Sequence, residues 1–124
     1  MLEIYGLNVT AVANTPLSFN NTSIKKGCTA ELESSSTIQL NKCGVYMVEF
    51  DGSAAASNTV QMYKDGVAQP QAQSTSDSPS FTTLVQVDHN NSNCCCCSSP
   101  VSLRFVPTGA GTFTNINVCI TKIC

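Results

Sequence analysis

Charge is scarce in this chain: Asp, Glu, Lys and Arg together make up 11% of 124 residues, well under the usual quarter. The six basic residues, Lys25, Lys26, Lys42, Lys64, Arg104 and Lys122, are scattered, and the net charge is −2. Binding that neutralises several phosphates needs clustered cations, so the sequence argues against a nucleic-acid partner. No apolar run approaches membrane-spanning length, which argues against a membrane partner. The start, Met1-Leu-Glu-Ile-Tyr-Gly-Leu7, lacks the positive and apolar regions of a signal peptide. The expectation is synthesis in the cytoplasm, with exit, if any, by another route such as release inside an assembled particle.

Catalytic groups are equally sparse. The single histidine, His89, sits in the polar stretch Asp88-His89-Asn90-Asn91. Paired with Cys94 it would make a nucleophile only with an orienting third residue and an oxyanion site, and neither is legible. The carboxylates Glu3, Glu31, Glu33, Glu49, Asp51, Asp65, Asp77 and Asp88 suggest no acid–base pair, and glycine-rich phosphate motifs are absent. The sequence therefore predicts neither an enzyme nor a cofactor.

Apolar residues make up 42% of the chain, enough for the core of one domain over 1–124. Ser, Thr, Asn and Gln keep the surface wet, which suits a particle or an extracellular setting. No apolar 3.6-residue period is sustained; short β-branched runs alternate with turn residues, the pattern of an all-β domain. Extended stretches are expected over 2–12, with 1–8 open as an N-terminal arm, and over 15–19, before a break at Asn20-Asn21-Thr22-Ser23. Short strands follow at 30–32 and 37–40. The 45–50 strand, ended by Asp51-Gly52, places Tyr46, Val48 and Phe50 on one face and Val45, Met47 and Glu49 on the other. The second face is too apolar for a purely solvated one. Either a loop covers it or it contacts another subunit, which makes Val45 and Met47 interface candidates.

Further strands are read at 59–63, 81–87, 101–106 and 113–123, the last with Ile116, Val118 and Ile120 opposite Asn115, Asn117 and Cys119. Asp65-Gly66 between strand-like runs signals a type I′ hairpin, with Pro70 stopping the return strand. Residues 71–80 read as a coreless polar loop. Eight to ten strands fit a jelly-roll β-sandwich of two antiparallel sheets.

Eight cysteines, Cys28, Cys43, Cys94, Cys95, Cys96, Cys97, Cys119 and Cys124, exceed what a cytosolic domain ordinarily carries. All are disulfide candidates, and bonds closed after particle release would reconcile their number with cytoplasmic synthesis. Metal binding by Cys94–Cys97 with His89 is the less favoured reading, because adjacent residues cannot all aim at one ion. Free thiols are the third.

Four segments carry a resemblance: Cys-Gly-Val-Tyr-Met-Val-Glu-Phe (43–50), Val-Gln-Met-Tyr-Lys-Asp-Gly-Val-Ala (60–68), Phe-Thr-Thr-Leu-Val-Gln-Val (81–87) and Thr-Asn-Ile-Asn-Val-Cys-Ile-Thr-Lys-Ile-Cys (114–124). Over residues 8–124 the chain resembles the tumour-necrosis-factor/complement globular-head family. In particular it resembles the bacterial and phage branch that includes the tips of spore-surface collagen-like proteins and cysteine-rich phage structural proteins. The resemblance implies a homotrimer of ten-stranded jelly rolls without enzymatic activity. It also implies that the 45–56 strand pairs with both 81–88 and 113–123, gathering Cys43, Cys94–Cys97 and Cys124 at one pole.

With no collagen-like, coiled-coil or β-helix shaft in the sequence, the expectation is a capsid decoration protein on the virion surface, partnered by the major capsid protein or another virion protein. The alternatives are a phage-fibre tip binding a host glycan or receptor through 71–80 and 107–112, and a bacterial surface or spore-surface adhesin.

Overall fold

The computed structural model describes residues 1–27, 29–88 and 100–123. Among them run ten strands: β1 (Leu2–Ala11), β2 (Asn21–Lys25), β3 (Ala30–Ser34), β4 (Thr37–Leu40), β5 (Gly44–Ala54), β6 (Asn58–Lys64), β7 (Val67–Ser76), β8 (Ser80–Val87), β9 (Val101–Pro107) and β10 (Gly111–Lys122). Sheet A has the order β2-β1-β10-β5-β8 and sheet B the order β3-β4-β9-β6-β7. Every pairing is antiparallel. This is the expected jelly-roll sandwich, and β5 pairs with both β8 and β10 as the resemblance implied.

The alternation of each strand builds the core. Leu2, Ile4, Tyr46, Val48, Phe50, Val85, Val87, Ile116, Val118 and Ile120 point inward from sheet A, and Ile38, Leu40, Val60, Met62, Leu103 and Phe105 from sheet B. Each such side chain contributes about 1.5–3 kcal/mol of burial. At the centre Phe50 stacks on Phe81 and Phe105, both at 5.4 Å, and Phe19 meets Phe105 edge-on at 6.0 Å. Tyr46 keeps its ring in the core while its hydroxyl donates to the Lys42 carbonyl at 2.7 Å.

Several boundaries depart from the sequence reading. The extended stretch expected over 2–12 is β1, and with Leu2 and Ile4 in the core the alternative of an arm at 1–8 falls away. The stretch 20–23 is no break; Asn21–Lys25 is an edge strand, every residue exposed. A strand with no buried side needs no apolar residue, so it left no periodic signal. Residues 15–19 form no strand. They lie beside sheet B through bonds from the Leu17 amide to the Phe105 carbonyl and from the Phe19 amide to the Ser35 carbonyl.

Asp51-Gly52 does not end β5, which runs on to Ala54. A Cβ at Gly52 would stand 3.4 Å from both Phe50 and Phe113, in van der Waals contact with the two rings. Nor does Pro70 end β7. The β6–β7 ladder shifts register there, with Tyr63 opposite Ala68 but Gln61 opposite Gln73. Within this bulge the Gln61 amide donates to the carbonyls of Gln69 and Ala72, which replaces the ladder bonds that the extra residues forfeit. Residues 71–76 therefore belong to β7, and Ala72 is fully buried.

The expected hairpin is present: Asp65 and Gly66 have φ of 51° and 81°, the positive pair of a type I′ turn. At the opposite pole Asn58 clamps the turn after β9. Its side chain donates to the Gly109 carbonyl at 2.9 Å and accepts from the Gly109 amide at 3.1 Å.

Candidate functional site

The outward side of sheet A is the most distinctive surface. Because Tyr46, Val48 and Phe50 turn inward, β5 presents Val45, Met47 and Glu49 to the outside, as the alternation predicted. The described residues do not close over Val45 or Met47, which stay partly exposed. Met47 lies between Leu84 of β8 and Thr121 of β10, and Val45 beside Gln86. Leu84 is 57% exposed and Leu7, on the same face of β1, is 59% exposed. Tyr5, Asn117 and Asp51 form one row across three strands, and Glu3, Cys119 and Glu49 form the next. The outcome is a surface on which Tyr, Met, Leu and Val alternate with Asn and with the carboxylates of Glu3, Glu49 and Asp51; aromatic residues and Met are enriched at protein interfaces.

Cys119 sits in the middle of this surface. Partial burial, then the carboxylates of Glu3 and Glu49, push its thiol pKa up, while a bond from Thr121 and the amino terminus pull the other way. Cys43 occupies the pole at the start of β5, in an open depression shared with Gln86 and Asp88. Along β5 it is six residues from the partner of Cys119, about 20 Å at strand rise. That is too far for a disulfide between the two within one chain.

Cys28, Cys94, Cys95, Cys96, Cys97, Cys124 and His89 lie outside the described residues. The polar gathering of cysteines therefore rests, within them, on Cys43 alone. Among the described residues no group of three His, Cys, Asp or Glu side chains could hold a metal ion.

Leu84 was not among the residues singled out by sequence, although its signal was present. In Phe81-Thr-Thr-Leu-Val-Gln-Val87 the inward phase is Phe81, Thr83, Val85 and Val87, leaving Leu84 as an apolar residue on the polar phase. The row Glu3–Cys119–Glu49 had no such signal, since it depends on the register of three strands far apart in sequence.

No protein-family model and no curated protein matches the chain. Solved structures do. The globular domain of zebrafish complement 1qA protein superposes with a TM-score of 0.66 at 12% identity, covering 95% of this chain and 94% of that one. Murine APRIL superposes with a TM-score of 0.63 at 12% identity, covering 98% and 97%. The fold is thus a jelly roll of the tumour-necrosis-factor/complement globular-head type. At this identity the likeness defines the architecture, and function has to be argued from the surface.

Proposed function

We propose that the chain is a non-catalytic assembly subunit, a homotrimer formed through the outward side of sheet A, and that the trimer decorates a phage capsid. The observation that carries the assembly reading is Leu84. A large aliphatic side chain 57% exposed on edge strand β8, in register with the half-buried Met47, gains about 25 cal/mol for each Å² of apolar surface it buries against a second copy. Around it on that face stand Met47, Val45, Thr82 and Gln86, and the carboxylate in the next row is Glu49, opposite Thr82. The capsid reading rests on the resemblance to phage structural proteins, on a surface wetted by uncharged polar residues, and on the threefold positions that shell symmetry offers a trimer. It places the protein on the virion surface, beside the major capsid protein.

Light scattering on the purified chain tests the assembly: a mass of three subunits at micromolar concentration is expected, and a monomer overturns it. Mass spectrometry of purified virions, with rebinding of the protein to stripped shells, tests the location. Shell-bound protein in a multiple of three copies is expected. Virions that lack it, or that carry it only in the tail, overturn the decoration role and leave the trimer standing.

A further inference from the structure

The outer side of sheet B holds a second surface, remote from the assembly face. β6 and β9 pair so that Tyr63 lies opposite Arg104 and Gln61 opposite Val106. Their neighbours Met62, Leu103 and Phe105 are fully buried, so Tyr63, Arg104 and Val106 point away from the core. Alongside β9 the Asn14 amide donates to the Pro107 carbonyl and the Leu17 amide to the Phe105 carbonyl, both at 2.8 Å. This lays the 14–17 segment against the sheet and raises a wall. The result is an open depression of about 310 Å³ lined by Asn14, Pro16, Tyr63, Gly66, Arg104 and Val106.

Three polar side chains line it, Asn14, Tyr63 and Arg104. The Arg104 Nε donates at 3.0 Å to Thr37 Oγ1, a side chain 3% exposed, so one edge of the guanidinium is anchored. Its two terminal amino groups bond to no described residue, and the ion pair found among the described residues is Lys25–Glu31. The Tyr63 hydroxyl and the Asn14 side-chain amide make no hydrogen bond to a described residue either. Asn14 has a left-handed backbone, φ 61°, a conformation that Asn tolerates.

We propose that this depression binds a pyranose bearing a carboxylate. An anchored guanidinium with two free N–H-bearing amino groups matches a carboxylate in a bidentate fork. Pro16, Val106 and the Tyr63 ring offer apolar area for the face of a sugar ring, and Asn14 offers a donor and an acceptor for its hydroxyls. The volume is at the lower end for small-molecule sites and fits one ring. An acidic peptide side chain would satisfy the arginine but has no ring to lie over Pro16 and Val106. Because the site is on the sheet opposite the assembly face, its failure and that of the trimer are separate results.

The test is an NMR titration of the full chain with methyl β-glucuronide, a methyl sialoside, methyl glucoside and N-acetyl-aspartate amide. One or both acidic sugars at millimolar concentration should shift the amides of Tyr63, Arg104 and Val106, and the tighter of the two names the source. Methyl glucoside should bind at least about tenfold more weakly, the worth of a charge-assisted hydrogen bond. Arg104→Lys, which keeps the charge and loses the fork, should weaken binding by a similar factor. Asn14→Gly, which keeps the left-handed backbone, should weaken binding without lowering Tm. Absent shifts with both acidic sugars overturn the proposal. So do equal binding of methyl glucoside, tighter binding of the aspartate derivative, or unchanged affinity in both variants.

Discussion

Met47 and Leu84 face each other across the β5–β8 ladder on the side of sheet A turned away from the core. One residue further along β8, Val85 is 2% exposed and belongs to the core. On the proposed interface these neighbours separate assembly from folding. Leu84→Asp should change protomer stability by only about 0.5 kcal/mol, as for an exposed position, and should dissociate the trimer. Val85→Asp should unfold the protomer, since it buries a carboxylate without a partner. Thermal denaturation and light scattering on both variants check this, and a Leu84→Asp protein that stays trimeric refutes the interface.

The turn at 65–66 gives a prediction that depends on the backbone alone. A Cβ at Gly66 would meet nothing within 4 Å, so the penalty of a side chain comes from its φ of 81°. Gly66→Val should cost about 1–2 kcal/mol, and Gly66→Asn much less, because Asn tolerates the left-handed region. Val67→Ala, at a residue 63% exposed, should cost under about 0.5 kcal/mol. Urea denaturation of the three variants gives the ranking.

Asn58 should matter more than most polar residues. It is 7% exposed and holds Gly109 through donor and acceptor together. Asn58→Ala leaves the Gly109 amide and carbonyl short of partners and should cost about 1–3 kcal/mol. Amide hydrogen exchange at Gly109 should quicken in the variant, even where the rest of the sandwich stays protected.

Cys119 should be a slow nucleophile. Its pKa is raised by burial, then by Glu3 and Glu49, so at mildly alkaline pH less of it is thiolate than in the unfolded chain. A raised native pKa means that the folded state holds the proton more tightly. The stabilisation is full below the unfolded value and is lost as pH rises through the native one. Iodoacetamide labelling followed by mass spectrometry should show Cys119 alkylated more slowly in folded than in urea-unfolded protein. Glu3→Gln and Glu49→Gln should each speed the folded-state reaction.

What the sequence disclosed followed from where signals are local. Tyr46, Val48 and Phe50 alternate with Val45, Met47 and Glu49 within six residues, so both faces of β5 were readable. Asp65-Gly66 states its own turn. β2 was missed because an exposed edge strand has no buried phase to betray it. The continuation of β7 was missed because Pro70 is tolerated only by a bulge whose support, Gln61, lies on another strand. The depression at Arg104 was invisible for a similar reason: Asn14, Tyr63 and Arg104 meet only through the β6–β9 register and the packing of 14–17 against β9.

The pairing of Leu2 with Ile120 and of Tyr46 with Lys122 sends both ends of the described chain to the pole that holds Cys43. The turns at 55–57, 77–79 and 108–110 lie at the other. The subunit therefore has one pole that carries both chain ends and one that carries neither. A tag or a fluorophore joined beyond Met1 or Ile123 would emerge at the first, whereas a peptide inserted at 55–57 would be displayed at the other. Exposed turns between intact strands accept such insertions best. Every subunit of an assembly built on this chain would then carry its cargo and its display site at opposite poles.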